Sequence, residues 1–261
     1  MNNSSSNWFG KLFKKVSQQG PGVVPEPASE LDAPDTAALV KTSMSLAHLG
    51  RFEEAARCFD QVLELDPRNA EAWICKGVSL DSLGRHEEAI QCFDRALELD
   101  PRCIAAWTNK GGSLHRRKRF EEAIQCFDRA LELDPCNISA WSHKGENLNN
   151  LGRFEEAILS LGKVLELDPR NADVWNNKGV SLYGLGRYDE AIVSFGKVLD
   201  LEPCNADGWN NKALAEDKLS EWREAARSYQ LFLAVAPAQY AKQIRHARKR
   251  LRELGDTSCS G

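Results

Sequence analysis

The sequence EEAIQCFDRALELDP occupies residues 87–101 and recurs unchanged at residues 121–135. The two copies are 34 residues apart, and two other residue types keep that interval along the chain. Prolines lie at Pro67, Pro101, Pro135, Pro169, Pro203 and Pro237. Tryptophans lie at Trp73, Trp107, Trp141, Trp175 and Trp209. Self-similarity at such a period is the signature of a repeat protein. It divides the chain into six units: 36–69, 70–103, 104–137, 138–171, 172–205 and 206–239.

Each unit has the pattern of two helices joined by a short turn. In unit 70–103 the first helix is predicted from about Ala70 to Leu83, because Gly84 then offers the left-handed conformation that ends helices. The second is predicted from about Glu87 to Leu99, because the residue before Pro101 is disfavoured in the helical region. Its apolar residues share one helical face. They are Ala89, Ile90, Phe93, Ala96 and Leu97.

The units resemble the tetratricopeptide repeat family, whose signature is W-x2-L-G-x2-Y, then A-x3-F, then P. The first half of this signature is matched by the segments WICKGVSL, WTNKGGSL, WSHKGENL and WNNKGVSL. The second half is matched by EEAIQCFDRALELDP at residues 87–101 and 121–135. One departure is regular, since lysine replaces the usual leucine before the glycine. These lysines are Lys76, Lys110, Lys144, Lys178 and Lys212. The resemblance implies an all-α fold, a right-handed α-solenoid of six helix–turn–helix repeats.

Four further segments lie outside the repeats. Residues 1–16 form a short amphipathic N-terminal segment, and residues 17–35 contain four prolines and two glycines, typical of an extended linker. Residues 240–254 predict a basic amphipathic helix that caps the array, and residues 255–261 are expected to be frayed. The first and sixth repeats depart from the pattern, as terminal repeats of a solenoid do.

The chain has no recognisable constellation for catalysis. Its five histidines form no i, i+4 pair and lie in no known metal motif, so we predict no enzyme activity, no metal and no cofactor. Of the eight cysteines, Cys58, Cys92 and Cys126 share one position of the repeat. Stacked helices are about 8–10 Å apart, too far for a disulfide. Reduced, packed thiols and a cytoplasmic location are therefore expected.

The N-terminal segment combines an apolar stripe with lysines, and two interpretations of it remain open. The apolar residues Trp8, Phe9, Leu12, Phe13 and Val16 recur at helical spacing, and the flanking lysines are Lys11, Lys14 and Lys15. Such a helix can lie at an anionic membrane surface or dock on a partner. Alternatively, it is a disordered tail or packs on its own solenoid.

A comparison among the repeats indicates where a partner binds. With the tryptophan numbered column 4 and the proline column 32, columns 2, 5, 6, 9, 12 and 13 vary freely and form one stripe along the first helix. Stacked repeats turn this stripe into a continuous concave groove. Polar residues line it: Asn109, His143, Asn176, Asn177, Asn210, Asn211, His115, Arg116 and Tyr183. A side-chain amide can pair with both groups of a peptide unit, although these residues also fit a merely polar surface.

These observations predict a non-enzymatic adaptor that binds a peptide segment or a partner protein in the groove. The competing hypothesis is a scaffold that self-assembles as a homo-oligomer and is recruited to a membrane by residues 8–16. The net charge of −4 disfavours nucleic acid as a partner. The basic run 115–119 suits an acidic ligand or a solvated turn equally well.

Overall fold

The computed structural model describes residues 36–258, with side chains up to Leu254. Twelve α-helices form six consecutive pairs, and a 3-10 turn at Ala238–Tyr240 leads into a thirteenth helix. The first four helices are α1 (Thr36–His48), α2 (Phe52–Leu65), α3 (Ala70–Ser82) and α4 (His86–Leu99). The next four are α5 (Ile104–Arg116), α6 (Phe120–Leu133), α7 (Ile138–Asn150) and α8 (Phe154–Leu167). The last five are α9 (Ala172–Gly184), α10 (Tyr188–Leu201), α11 (Ala206–Lys218), α12 (Trp222–Val235) and α13 (Ala241–Ser258).

The described residues contain no β-strand, and consecutive helices pack against one another, so the predicted all-α repeat fold is confirmed. The chain divides into two compact units, residues 1–133 and 134–261. Unit 1, as described, contains α1 to α6. Unit 2 contains α7 to α13. Each predicted 34-residue segment contains one helix pair, and the bounds in 70–103 differ from the predicted ones by one residue.

The turn between repeats is fixed by a proline, a tryptophan and an asparagine. The indole N–H of Trp73 donates to the carbonyl of Pro67 at 3.0 Å, and the other four tryptophans make the equivalent bond at 2.9–3.0 Å. Asn69 caps α3, because its side-chain oxygen accepts from the N–H of Ala72 at 2.9 Å. The regular spacing of Pro and Trp within the chain thus produces one hydrogen bond in each of the five turns between repeats.

Within the second to fifth repeats, the two helices meet at a glycine. A Cβ built on Gly111 would lie 2.7 Å from ring atoms of Phe127, and one built on Gly77 would lie 2.7 Å from Phe93. Real Cβ atoms do not approach that closely, so this position of the first helix admits no side chain where the second presents a large one. At this position the second helix presents a fully buried phenylalanine in the first, second, third and fifth pairs, Leu161 in the fourth and Tyr229 in the sixth.

Helix α13 covers the last repeat of unit 2. Ala247 is fully buried against α12, and the Tyr240 hydroxyl donates to Asp207 at 2.7 Å. Arg250 binds both carboxylate oxygens of Asp217, at 2.8 and 2.6 Å. The helix continues to Ser258, four residues past the predicted end at 254. The physical reason is that no proline follows, and a single glycine lowers helix stability by only about 1 kcal/mol.

The turn inside each repeat needs a left-handed residue. Gly84, at φ +77°, fills that position in the second repeat, and Gly50, Gly152 and Gly186 fill it elsewhere. In the third and sixth repeats Lys118 and Ser220 adopt φ +59° and +63° instead. The left-handed conformation costs a residue with a Cβ roughly 1–2 kcal/mol, so these two turns are strained.

We expect Gly111→Ala to destabilise the chain by about 1–3 kcal/mol, because the new methyl group overlaps the Phe127 ring. Gly162→Ala is the matched control. Its helical position has nothing within 4 Å of an added Cβ, so alanine should stabilise by about 0.5–1 kcal/mol. Urea unfolding followed by circular dichroism measures both, and equal stability of the two variants would contradict the packing constraint.

Lys118→Gly should stabilise the chain by about 0.5–1 kcal/mol, because glycine removes the left-handed strain at the cost of some unfolded-state entropy. The reciprocal change Gly84→Lys, at the same position one repeat earlier, should lower the melting temperature. If both variants have the melting temperature of the wild type, the left-handed residues in these turns are not strained.

Candidate functional site

In unit 2 the predicted amides come together on the first helices of successive repeats. Helix α9 contacts both α7 and α11. The side-chain N–H of Asn211 on α11 donates to Asn176 Oδ1 on α9 at 3.0 Å. Asn210 Nδ2 lies 3.4 Å from Asn211 Oδ1, a long contact, and Asn210 itself is only 8% exposed. We call Asn176, Asn177, Asn210, Asn211 and His143 the asparagine face.

Asn177 is the asparagine with its side chain free to bind. Its backbone carbonyl accepts from Asn149 Nδ2 at 3.0 Å, but within residues 36–258 its side-chain amide makes no hydrogen bond. The side chain is half-buried, so it is accessible yet partly shielded from water. A donor and an acceptor held in this way are suited to pair with a peptide backbone.

His143 and Tyr183 flank these amides. His143 Nδ1 lies 2.7 Å from the carbonyl of Ser139, one turn earlier on α7. The Tyr183 ring packs edge-on against Tyr188 at 5.1 Å between ring centres. Burial, followed by the charges of Tyr188 and Asp217, raises the pKa of Tyr183 above its usual value, so its hydroxyl stays protonated and can donate at neutral pH.

Asn109 in unit 1 occupies the same column as Asn211 but lacks its partner. Its Nδ2 is buried and has no hydrogen-bond acceptor in the described part of the chain. The residue that corresponds to Asn176 one repeat earlier is Ile74, which offers no acceptor and is itself buried. The amide pairing of unit 2 therefore has no counterpart at Asn109.

The basic run at the end of α5 is largely neutralised within unit 1. Arg116 donates to Asp81 at 2.6 Å, and Arg117 and Arg119 bind Glu87 at 2.8 and 3.3 Å. His115 stacks at a tilt on Phe120, with ring centres 5.7 Å apart. An acidic ligand at His115 and Arg116 would have to compete with these carboxylates.

Two residues of column 12, which the sequence comparison placed in the groove, instead tie neighbouring repeats together. Ser113 donates to Asp81 at 2.7 Å, and Ser181 donates to Asn149 at 2.6 Å, each across one repeat boundary. Sequence variation alone did not identify this role. The available signal was an oxygen acceptor at column 12 followed by a serine at column 10 of the next repeat.

The thiols differ in burial, and Cys58 and Cys103 are half-buried. Cys75, Cys92 and Cys126 are buried, and burial raises their pKa values to about 12, 11 and 11. Cys136 and Cys204 lie exposed in the turns between repeats. All seven cysteines that the structure describes are free.

Within residues 36–258 no group of three or more His, Cys, Asp or Glu residues is placed to bind a metal ion. In the same residues no helix has the length and apolar composition needed to cross a bilayer. The predicted docking residues Trp8, Phe9, Leu12, Phe13, Lys11, Lys14 and Lys15 lie outside the described residues.

The paired helices, the glycine contacts and the stacked first helices define an all-α repeat protein of the solenoid class. Models of the tetratricopeptide repeat match residues 41–102, 76–137, 145–186 and 172–203, which together exceed half of the chain. The chain belongs to the tetratricopeptide repeat family. Members are typically non-enzymatic interaction modules, and this chain is a protein-interaction adaptor in that general sense.

Solved structures of other tetratricopeptide proteins share the fold. YrrB, described as having an unusual peptide-binding site, is 24% identical with a TM-score of 0.64, over 74% of this chain and 99% of YrrB. The C-terminal part of a repeat protein from Cytophaga hutchinsonii is 19% identical with a TM-score of 0.73, over 84% and 88%. MamA from Desulfovibrio magneticus is 25% identical with a TM-score of 0.62, over 65% and 96%. No sequence relative was found among curated proteins.

At pH 8 we expect iodoacetamide to modify Cys136 and Cys204 first. A pKa raised to about 11 leaves Cys92 with on the order of a hundredfold less reactive thiolate than an ordinary cysteine. Timed alkylation and peptide mass spectrometry of the folded chain measure the order. Labelling of Cys92 as fast as that of Cys204 would show that the second helices open readily in solution.

Proposed function

We propose that this chain is a non-enzymatic adaptor that holds an extended segment of a partner protein on the asparagine face of unit 2. The observation that carries the proposal is the hydrogen bond from Asn211 Nδ2 to Asn176 Oδ1. It joins amides of neighbouring repeats and fixes their orientation. The amino group of Asn176 and the second amino hydrogen of Asn211 then remain available to a ligand.

The spacing of these amides suits an extended peptide. Neighbouring helices are about 8–10 Å apart, and an extended strand rises about 3.3 Å per residue. One repeat of unit 2 therefore corresponds to about three peptide residues. Asn177 and Asn211 occupy equivalent positions one repeat apart, so together they can contact two backbone groups that lie about three peptide residues apart.

Backbone pairing makes the recognition tolerant of peptide sequence, and the neighbouring side chains supply selectivity. Val180 is exposed on α9 one turn after Asn177, and the Tyr183 hydroxyl lies one further turn along. These residues favour an apolar side chain and a hydrogen-bond acceptor in the bound segment. YrrB, with its described peptide-binding site, supports this type of function.

Asn177→Ala should leave the melting temperature within about 2 °C, because this amide makes no bond that the folded state would lose. It should weaken binding of a partner peptide by about 1–3 kcal/mol, since the bound backbone group is then buried without a partner. The peptide is first isolated by cross-linking to the wild-type chain and then titrated by calorimetry.

Gln230→Ala serves as the control, because Gln230 is an exposed amide on the second helix of the last repeat. It should bind the same peptide as tightly as the wild type. Full affinity of Asn177→Ala would reject the asparagine face as the binding surface. Light scattering on the free chain tests the competing hypothesis of a self-assembling scaffold. Self-assembly requires a molar mass that rises with protein concentration, whereas a monomeric adaptor gives a constant mass.

A further inference from the structure

A lysine is held between two partners in each of two repeats of unit 1. The ammonium group of Lys76 lies 5.3 Å from the ring centre of Trp73 and 2.5 Å from Asp60. Lys110 makes the same pair of contacts, at 5.6 Å to Trp107 and 2.6 Å to Asp94. The aspartate comes from the second helix of the preceding repeat in both cases. An indole face and a carboxylate together satisfy each half-buried cation.

Unit 2 keeps the lysine and the tryptophan but replaces the aspartate with glycine. Lys178 lies 5.2 Å from the ring centre of Trp175, and the residue that corresponds to Asp60 is Gly162 on α8. A Cβ built on Gly162 meets nothing within 4 Å, so the volume of the missing side chain is open. Both the counter-charge and the side chain that carried it are therefore absent at this position.

Lys178 has no internal replacement for that carboxylate. In the next repeat, where Gly196 stands at the aspartate position, Lys212 lies 3.7 Å from Glu216 of its own helix. Within the part of the chain that the structure describes, Lys178 forms no ion pair. The pKa of Glu190 is lowered mainly by its hydrogen bonds with Arg187, at 2.6 and 2.7 Å, and only to a smaller extent by the charge of Lys178.

The surroundings of this position also change from polar to apolar. The cleft at Lys76 in unit 1 is lined by Arg57 and Gln91. The residues 102 positions further along, at three repeats' distance, are Leu159 and Val193. Their side chains are 72% and 63% exposed, so positions that are polar at the Lys76 cleft are apolar and open to solvent here.

We propose that this Lys178 cleft, formed by Leu159, Gly162, Trp175, Lys178 and Val193, binds an acidic side chain of a partner protein. The ligand carboxylate takes the place that Asp60 and Asp94 occupy in unit 1, between the ammonium group and the space above Gly162. Aliphatic residues next to it in the partner cover Leu159 and Val193. The recognised motif is an aspartate or glutamate beside aliphatic residues.

This cleft is separate from the asparagine face. Asn176 precedes Lys178 by two residues, and two residues of an α-helix correspond to a rotation of about 200°. The two side chains therefore leave α9 in nearly opposite directions. A partner in the cleft packs against α8 and α10, whereas a peptide on the asparagine face packs against the first helices.

The test is a selection with a random twelve-residue peptide library displayed on phage. The library is selected in parallel on the full chain, on Lys178→Met and on Gly162→Asp. Methionine keeps an unbranched stem over Trp175 without the charge, and aspartate restores the internal partner of unit 1. We expect peptides with an acidic residue beside aliphatic ones to be enriched at least tenfold on the wild type over both variants.

Gly196→Asp is the matched control, because the same substitution one repeat later faces a lysine that already has Glu216. It should select the same peptides as the wild type. For a selected peptide, replacing the acid by its amide should raise Kd at least tenfold. Equal enrichment of acidic peptides on the wild type and Lys178→Met, or an amide peptide that binds unchanged, overturns the proposal. The melting temperature of Gly162→Asp should equal or exceed that of the wild type. Loss of peptide binding by this variant then reflects occupation of the cleft by the new carboxylate and not unfolding of the chain.

Discussion

The architecture of the second to fifth repeats depends on how closely their two helices approach at one glycine. Gly111 and Gly179 face the rings of Phe127 and Phe195 at distances that exclude any Cβ. This contact fixes the orientation of the first helix, because only one of its sides can meet the ring. The lysine is then directed towards the second helix of the preceding repeat in unit 1, and Asn211 in unit 2 towards the first helix of the preceding repeat. In the sixth repeat Ala213 takes the glycine position and is fully buried.

The two units share this architecture but differ in the groups that hold their repeats together. Unit 1 uses charge, with Asp60 and Asp94 bound to lysines and Glu87 bound to two arginines. Unit 2 uses neutral amides, and it has Gly162 and Gly196 at the positions of those two aspartates. The same lysine column is therefore ion-paired in unit 1 and has no ion pair at Lys178 within the described residues.

The predicted groove residues also differ in whether their polar side chains already have a hydrogen-bond or ion-pair partner within the protein. Arg116 is bound to Asp81, and Asn210 is almost fully buried, so neither is free to meet a partner without loss. Asn177 combines partial exposure with an unpaired amide. An adaptor needs polar groups that water satisfies until a ligand displaces it, and this is why the proposed binding surface is placed in unit 2.

The sequence by itself determined the number of repeats, the turn residues and, to within one residue, the helix bounds of the repeat 70–103. A 34-residue period, a proline after each second helix and a glycine after most first helices act locally, through backbone conformation and helical periodicity. Only the tertiary structure decided which varying positions are open. Asp81 and Asn149 vary as freely as Asn177, yet serines of the next repeat bind them. Whether a polar group is satisfied depends on residues about 32 positions away, and pairing across repeats becomes visible only when the helices are stacked.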